Sequence, residues 1–277
     1  MIPPTIPDLV ARAASRPFLA EHLALGTDEH SGTAVARFNG FQLGSAYEPI
    51  FDISVHAYGQ SLGSAPEQAD RLGDELGFQA VTERIDGEPF DSHDTFERIA
   101  EDAQLVALDR MSRALHSINF FGAQRHGLLF LRVHERLLKS VRYDHGRHFS
   151  AVLVSFGLSP SRIVIELPQA AVAHRTFLGY LTKSYQHYGF KVAGNLPNAG
   201  QILSVSDMAR LDFIKMDAGA ALRDSMVKPL VGYANRLRIP LIFDRVANEA
   251  QFDLLQQYDV RFVQGPLFAT HDHPRAA

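Results

Sequence analysis

Eight short apolar runs, rich in β-branched and large side chains, recur along the chain from residue 49 onward. Longer segments separate them, and in residues 94–118 and 172–188 the apolar side chains recur at helical spacing. Strands that alternate with helices favour a parallel sheet, and eight such units close most simply into an α/β fold of the TIM-like (β/α)8 barrel class. The strands are predicted at Pro49 to Val55, Phe78 to Thr82, Leu128 to Val133, Ile163 to Leu167, Phe190 to Ala193, Phe213 to Met216, Leu241 to Phe243 and Val260 to Val263.

Length and local patterns suggest how the chain is divided. Its 277 residues, 46% of them hydrophobic, suit one barrel-sized unit. We assign residues 41–277 to the barrel and residues 1–40 to a leader, in which an amphipathic helix runs from Pro7 to about Gly26 and a polar loop, TDEHSG, follows. Residues 61–77 are polar and contain a Ser-Ala-Pro helix start, so they are predicted to form an inserted surface helix.

Charge and composition exclude several classes of partner. A formal net charge of −4 disfavours nucleic acid and anionic membranes, and no stretch is apolar enough to span a bilayer. The absence of cysteine rules out disulfides and is compatible with the cytoplasm, where we expect the protein. The histidine runs at residues 145–148 and 271–273 lie in polar segments and are expected to be solvated loop residues rather than metal ligands.

Several short motifs follow one another in order between Tyr47 and Phe268. They are Tyr47-Glu48-Pro49-Ile50, Gly77 to Val81, Phe96 with Ala100-Glu101, Ile163 to Glu166, Gly189 to Gly200, Lys215-Met216-Asp217 and Val263-Gln264-Gly265. Together they resemble the EAL domain family of cyclic di-GMP phosphodiesterases, in which the first motif reads YQPI and the second G-x-E-A-L. The resemblance implies a barrel of the EAL type.

The resemblance also implies a site that this chain has largely lost. Family members use two divalent cations, Mg²⁺ or Mn²⁺, held by shared carboxylates. At the corresponding positions this chain carries Gln79, Arg132, Asn195, Leu196 and Ala247, none of which is an acid. The positions that keep their chemistry are Glu166, Lys215, Asp217 and Gln264, with Asp244 as a shorter acid. The chain is therefore identified as a degenerate member of the family, in which no metal is expected.

The candidate site residues follow from this comparison. Ligand-binding candidates are Gln79, Arg132, Glu166, Asp217, Asp244 and Gln264. Arg132 and Glu166 end neighbouring strands, so we expect an ion pair between them, joined by Lys215, in place of the metals. Lys215 and Asp217 are expected to be retained for an internal ion pair. If hydrolysis persists, Glu166, Asp217 and Asp244 would hold Mg²⁺ or Mn²⁺ and Lys215 would be catalytic by orienting water.

Three functions stay open at this point. The favoured one is a non-catalytic regulatory domain of bacterial cyclic di-GMP signalling, which acts through a protein partner or as a weak receptor for the dinucleotide. Glu48 and Glu83 stand where the family has an amide and an arginine, which weighs against the receptor. The second is a phosphodiesterase with an altered metal site, and the third is an interaction module indifferent to the nucleotide. Because residues 195–206 depart from the family's dimer contact, homodimer formation is left open.

Overall fold

Eight strands pair edge to edge in a closed ring in the computed structural model, which describes residues 3–27, 30–54, 72–85, 101–140, 145–203, 205 and 210–268. The ring confirms the predicted TIM-like barrel. Its strands are β3 (Phe41–Asp52), β4 (Glu75–Arg84), β5 (Leu128–Arg132), β6 (Ile163–Leu167), β7 (Lys191–Asn195), β8 (Phe213–Asp217), β9 (Leu241–Asp244) and β10 (Phe262–Val263). Two further strands, β1 (Leu23–Leu25) and β2 (Ala34–Phe38), extend the sheet beyond the ring.

The first barrel strand, β3, runs opposite to the other seven. It pairs antiparallel with β4 on one side and with β10 on the other, whereas every other junction of the ring is parallel. The prediction of uniformly parallel units is therefore wrong at β3. An apolar run has the same composition in either direction, so its residues cannot reveal this reversal. Strand β3 is also longer than predicted, since it begins at Phe41 rather than Pro49.

Helices cover the outside of the ring. Helix α3 (Asp102–Gly122) connects β4 to β5, while α4 (Glu135–Ser140) and α5 (Arg147–Phe156) lie between β5 and β6. The later connections contain α6 (Gln169–Ala173), α7 (Arg175–His187), α8 (Ala218–Arg223), α9 (Val227–Leu237) and α10 (Glu249–Gln257). None of the helices in the described ranges is both long enough and apolar enough to cross a membrane.

The leader departs from the single helix that its pattern predicted. It forms α1 (Ile6–Ala13) and α2 (Pro17–His22), followed by β1. Pro17 lacks a backbone N–H, so it starts a new helix instead of continuing the first. Most of the predicted surface helix at 61–77 lies outside the described residues, and its last three residues belong to β4.

The interior of the barrel is built in two layers. One layer is an apolar cluster made of Ile50, Phe130, Val164, Ala193, Phe213, Ile242 and Phe262. Alternate side chains of a strand point to the same side, so the residues two positions further along the parallel strands also point inward. These residues are polar: Arg132, Glu166, Asn195, Lys215, Asp244 and Gln264. The polar layer therefore lies at the carboxyl ends of the parallel strands, the barrel mouth.

Strand β4 adds to both layers with different chemistry. Gln79 belongs to the polar layer, and Gly77 takes the place of an apolar side chain below it. A Cβ atom at Gly77 would lie 2.2 Å from the carbonyl oxygen of Leu128 on β5. Glycine is therefore required where these two strands approach each other.

Buried polar groups fasten α3 to the first strands. The side chain of Asn119 accepts a hydrogen bond from the Ala34 amide at 2.7 Å and donates to the Ala34 carbonyl at 2.9 Å. His116 is buried, with Nδ1 2.7 Å from Ser45 Oγ and Nε2 3.1 Å from Thr82 Oγ1. Burial lowers the pKa of His116 to about 3, so its ring is neutral in the folded protein.

We expect His116 to make the protein less stable in mild acid. The unfolded chain binds a proton at this residue below about pH 6.5, while the folded chain does so only near pH 3. This residue should therefore lower the free energy of unfolding by about 2 kcal/mol between pH 6.5 and pH 5. Urea unfolding at both values should show a smaller loss for His116→Gln than for the parent. His187→Gln, which removes an exposed histidine, should keep the parental loss, and an unchanged loss in His116→Gln would contradict the assignment.

Candidate functional site

The centre of the polar layer is the ammonium group of Lys215, which is 0% exposed. Its Nζ donates to Gln79 Oε1 at 2.7 Å, to Gln264 Oε1 at 2.9 Å and to Glu166 Oε2 at 3.1 Å. An ammonium group has three N–H donors, so these acceptors satisfy it completely. Gln79, Glu166 and Gln264, which the sequence identified as site candidates, therefore surround Lys215.

Glu166 is the carboxylate that balances this buried charge. Its Oε1 accepts from Arg132 Nε at 3.1 Å and from Asn195 Nδ2 at 3.0 Å, while its Oε2 accepts from Lys215. Burial by itself would raise the pKa of Glu166, but Lys215, Arg132 and the hydrogen bond from Asn195 outweigh burial and lower it to about 2. The predicted Arg132–Glu166 pair, joined by Lys215, is confirmed in these contacts.

Arg132 and Asp244 border this cluster at the mouth. The side chain of Arg132 is 51% exposed, so its guanidinium contacts Glu166 on one side and solvent on the other. Asp244 is buried, and no described residue hydrogen-bonds to its carboxyl group. Burial, reinforced by the charge of Glu166, raises the pKa of Asp244 against the opposing attraction of Lys215. The mouth thus holds a cation shared between Glu166 and solvent, and a buried acid whose pKa is raised.

Two contacts of the polar layer were not anticipated. Glu48, on the reversed strand β3, accepts from Gln264 Nε2 at 2.9 Å and faces Gln79 across the β3–β4 pair. Asn195, which the sequence marks only as a lost acid, donates to Glu166 and to the Leu167 carbonyl. An amide has donors that a carboxylate lacks. The Asp-to-Asn difference from the family was the available signal for the second contact.

Asp217 lies at the end of β8 but takes no part in the Lys215 cluster. Its Oδ1 caps α8 by accepting from the Ala220 amide at 2.7 Å, and its Oδ2 accepts from Arg245 Nη1 at 3.3 Å. The expected internal pair between Lys215 and Asp217 is therefore wrong, because each has a different partner. An aspartate directly before a helix is a favoured N-cap, which accounts for its position.

One member of the first histidine run differs from expectation. His145 is 4% exposed and packs against the rings of Phe177, Tyr180 and Tyr185, so it is not a solvated loop residue. His148 lies on α5 and is exposed. The second run, residues 271–273, lies outside the described residues.

The donor set at the mouth does not fit a pair of divalent cations. Such ions require several anionic oxygens that are free to coordinate. Glu166 already accepts three hydrogen bonds, and the amide oxygens of Gln79 and Gln264 are directed at Lys215. Within the ranges that the structure describes, no group of three or more histidine, aspartate or glutamate side chains is placed to hold a metal.

The barrel thus has one reversed strand and a polar layer centred on a lysine at its mouth. The EAL domain family profile matches residues 70–271, which is most of the chain. The chain therefore belongs to the EAL domain family of cyclic di-GMP signalling. No curated protein matches the sequence.

Solved structures with the same fold come from several bacteria. A standalone EAL protein of Vibrio cholerae bound to cyclic di-GMP has 16% identity and a TM-score of 0.62, over 81% of this chain and 90% of that one. The FimX EAL domain of Pseudomonas aeruginosa, also bound to cyclic di-GMP, has 14% identity and a TM-score of 0.61, over 92% and 93%. The manganese and cyclic di-GMP complex of Klebsiella pneumoniae BlrP1 has 18% identity and a TM-score of 0.62, over 93% and 62%. At such identities the likeness establishes the fold.

We expect the loss of either Lys215 or Glu166 alone to destabilise the protein more than the loss of both would suggest. Glu166→Gln leaves a buried ammonium without its counter-charge and should lower the free energy of unfolding by about 3 kcal/mol or more. Lys215→Met should be similarly harmful, because Glu166 then loses its central partner. The double variant should be less destabilised than the two single effects added together, and denaturant unfolding of all four proteins measures this difference.

An exposed pair supplies the control for this cycle. Asp102 accepts from Arg136 Nη2 at 2.7 Å, and the Asp102 side chain is 61% exposed. Asp102→Asn should change the free energy of unfolding by less than about 1 kcal/mol. Strict additivity of the Glu166 and Lys215 substitutions would refute the coupling between them.

Proposed function

We propose that this EAL domain is a non-catalytic regulatory domain, which acts through contact with a protein partner and at most weakly as a receptor for cyclic di-GMP. One observation carries the proposal: Lys215 and Glu166 hydrogen-bond to each other and to neighbouring side chains. The residues that would have to act on a substrate are thus occupied within the protein.

Hydrolysis of a phosphodiester needs an activated water, and this mouth offers little to activate one. All three donors of Lys215 are directed at protein oxygens, so none remains to orient water. The carboxylate of Glu166 has a pKa of about 2 and is a poor proton acceptor at neutral pH. The guanidinium of Arg132 lies beside the same carboxylate, and its positive charge repels an incoming cation. These three features support the absence of catalysis.

Weak binding of the dinucleotide has one feature in its favour. Arg132 presents a half-exposed guanidinium at the mouth, where it can approach a phosphate. Glu48 and Asp244 lie at the same end of the barrel, and a carboxylate beside a doubly anionic ligand opposes binding. The balance favours a protein partner as the main target of regulation.

The alternative is a phosphodiesterase with an altered metal site. The specific observation in its favour is that Asp217 and Asp244 are register neighbours on β8 and β9, and the carboxyl group of Asp244 lacks a hydrogen bond from any described residue. Mg²⁺ or Mn²⁺ would have to displace the Arg245 contact and the helix cap that Asp217 now makes. Those competing contacts weigh against it.

A turnover assay separates the two functions. The purified protein, incubated with cyclic di-GMP and either Mg²⁺ or Mn²⁺, should release no linear dinucleotide above the level of a buffer control. Chromatography of the reaction measures the product. Product that disappears in Lys215→Ala would overturn the non-catalytic assignment, since a contaminating enzyme would not depend on that residue.

Calorimetry with cyclic di-GMP tests the weaker receptor role. Any heat of binding should depend on Arg132, so Arg132→Ala should lower the affinity by about tenfold or more, the effect of one lost charge-assisted contact. Arg261→Ala is the matched control, because Arg261 pairs with Asp52 outside the polar layer. Equal losses in both variants would argue against binding at the mouth. Absence of heat from the parent would leave protein contact as the mode of action.

A further inference from the structure

A cleft of about 650 Å³ opens beside the barrel mouth and shares no residue with the Lys215 cluster. Its walls come from three helices that follow two neighbouring strands: α4 after β5, and α6 and α7 after β6. A volume of this size is typical of sites for small molecules. The apolar part of the wall includes Leu138 and Ala171, which are both buried.

Aromatic rings line one side of the cleft. Phe177 and Tyr180, one turn apart on α7, present their rings there, and Tyr180 is 43% exposed. Both rings meet the imidazole of His145 nearly at right angles, with centroid distances of 6.4 Å and 5.9 Å. Such edge-to-face sets provide faces on which a planar ligand ring can stack.

His145 is the feature that the fold alone does not explain. It is 4% exposed and lines the cleft, yet neither ring nitrogen hydrogen-bonds to any described residue. Its ring nitrogens therefore remain available to a ligand in the cleft that the ring lines. Burial, together with the positive charge of Arg113, lowers the pKa of His145, so the ring is neutral at pH 7 and offers one donor and one acceptor.

The start of α7, which also lines the cleft, is suited to an anion. The helix has 13 residues, and no side chain caps its N-terminus at His174. The first turn of a helix leaves backbone N–H groups without helical partners and carries a partial positive charge. The side chain of Arg175, also in this turn, lines the same cleft. Together they form a positive end next to the aromatic wall.

From this arrangement we infer a second ligand site, separate from the barrel mouth, for a small molecule that joins a planar aromatic ring to an anionic group. The ring stacks on Phe177 and Tyr180, His145 hydrogen-bonds to it, and the anion lies at the start of α7 beside Arg175. Both nucleoside monophosphates and aromatic carboxylates have this chemistry. Glu135, which also lines the cleft, can accept a hydrogen bond from a ring N–H or hydroxyl group and favours ligands with such a donor.

Calorimetry with defined probes tests the site. Adenosine 5′-monophosphate and 4-hydroxybenzoate represent the phosphate and carboxylate forms of the ligand, and adenosine and inorganic phosphate represent the two halves of the first. At least one complete probe should bind at least tenfold more tightly than either half, and saturating cyclic di-GMP should not displace it. If neither complete probe produces a heat of binding, or if cyclic di-GMP competes for the site, the inference is wrong.

Two substitutions on one helix provide the matched comparison. Arg175→Gln removes a cation that lines the cleft, and Lys183→Gln removes an exposed cation from the same helix outside it. Arg175→Gln should weaken the bound probe by tenfold or more, whereas Lys183→Gln should leave its affinity unchanged. His145→Phe keeps a ring but removes both nitrogens and should also weaken binding, with thermal unfolding as the check on its fold. Equal affinities in the Arg175 and Lys183 variants would overturn the site.

Discussion

A lysine ammonium without access to water requires acceptors from the protein, and this requirement organises the barrel mouth. Lys215 obtains them from Gln79 on β4, Glu166 on β6 and Gln264 next to β10. Strands from opposite sides of the ring are thereby connected through a single nitrogen atom. The side chains around Lys215 are less free to change than its neighbours in the apolar layer, where one hydrocarbon can replace another of similar volume.

The two layers inside the barrel differ in what their stability depends on. The apolar layer is stabilised by the burial of its hydrocarbon side chains. This contribution does not depend on which polar side chains occupy the neighbouring layer. The polar layer must satisfy every buried donor and acceptor, but it can do so with cations or with protein groups. Here Arg132 and Asn195 bring donors to Glu166, so the carboxylate stays compensated without a metal.

The sequence predicted the barrel and the central ion pair because both depend on local signals. Apolar periodicity located the strands, and the resemblance to the family placed Arg132 and Glu166 at the ends of adjacent strands. It did not predict the reversal of β3 or the contact of Glu48, since strand direction depends on chain connection and not on side-chain pattern. The burial of His145 was also missed, because the aromatic residues that cover it come from a helix some thirty residues further along the chain. The capping role of Asp217 was missed as well, because it depends on the helix that begins directly after it.

The reversal of β3 has a mechanical consequence. A twelve-residue strand is about 40 Å long, and this one pairs with β2 near its start and with β10 near its end. Glu48, which holds Gln264, lies on the same strand between these two pairings. Strand β4 pairs with β3 from Leu43 to Phe51, with a bulge between Ile50 and Phe51. Force applied to β2 would therefore reach the polar layer along this one strand.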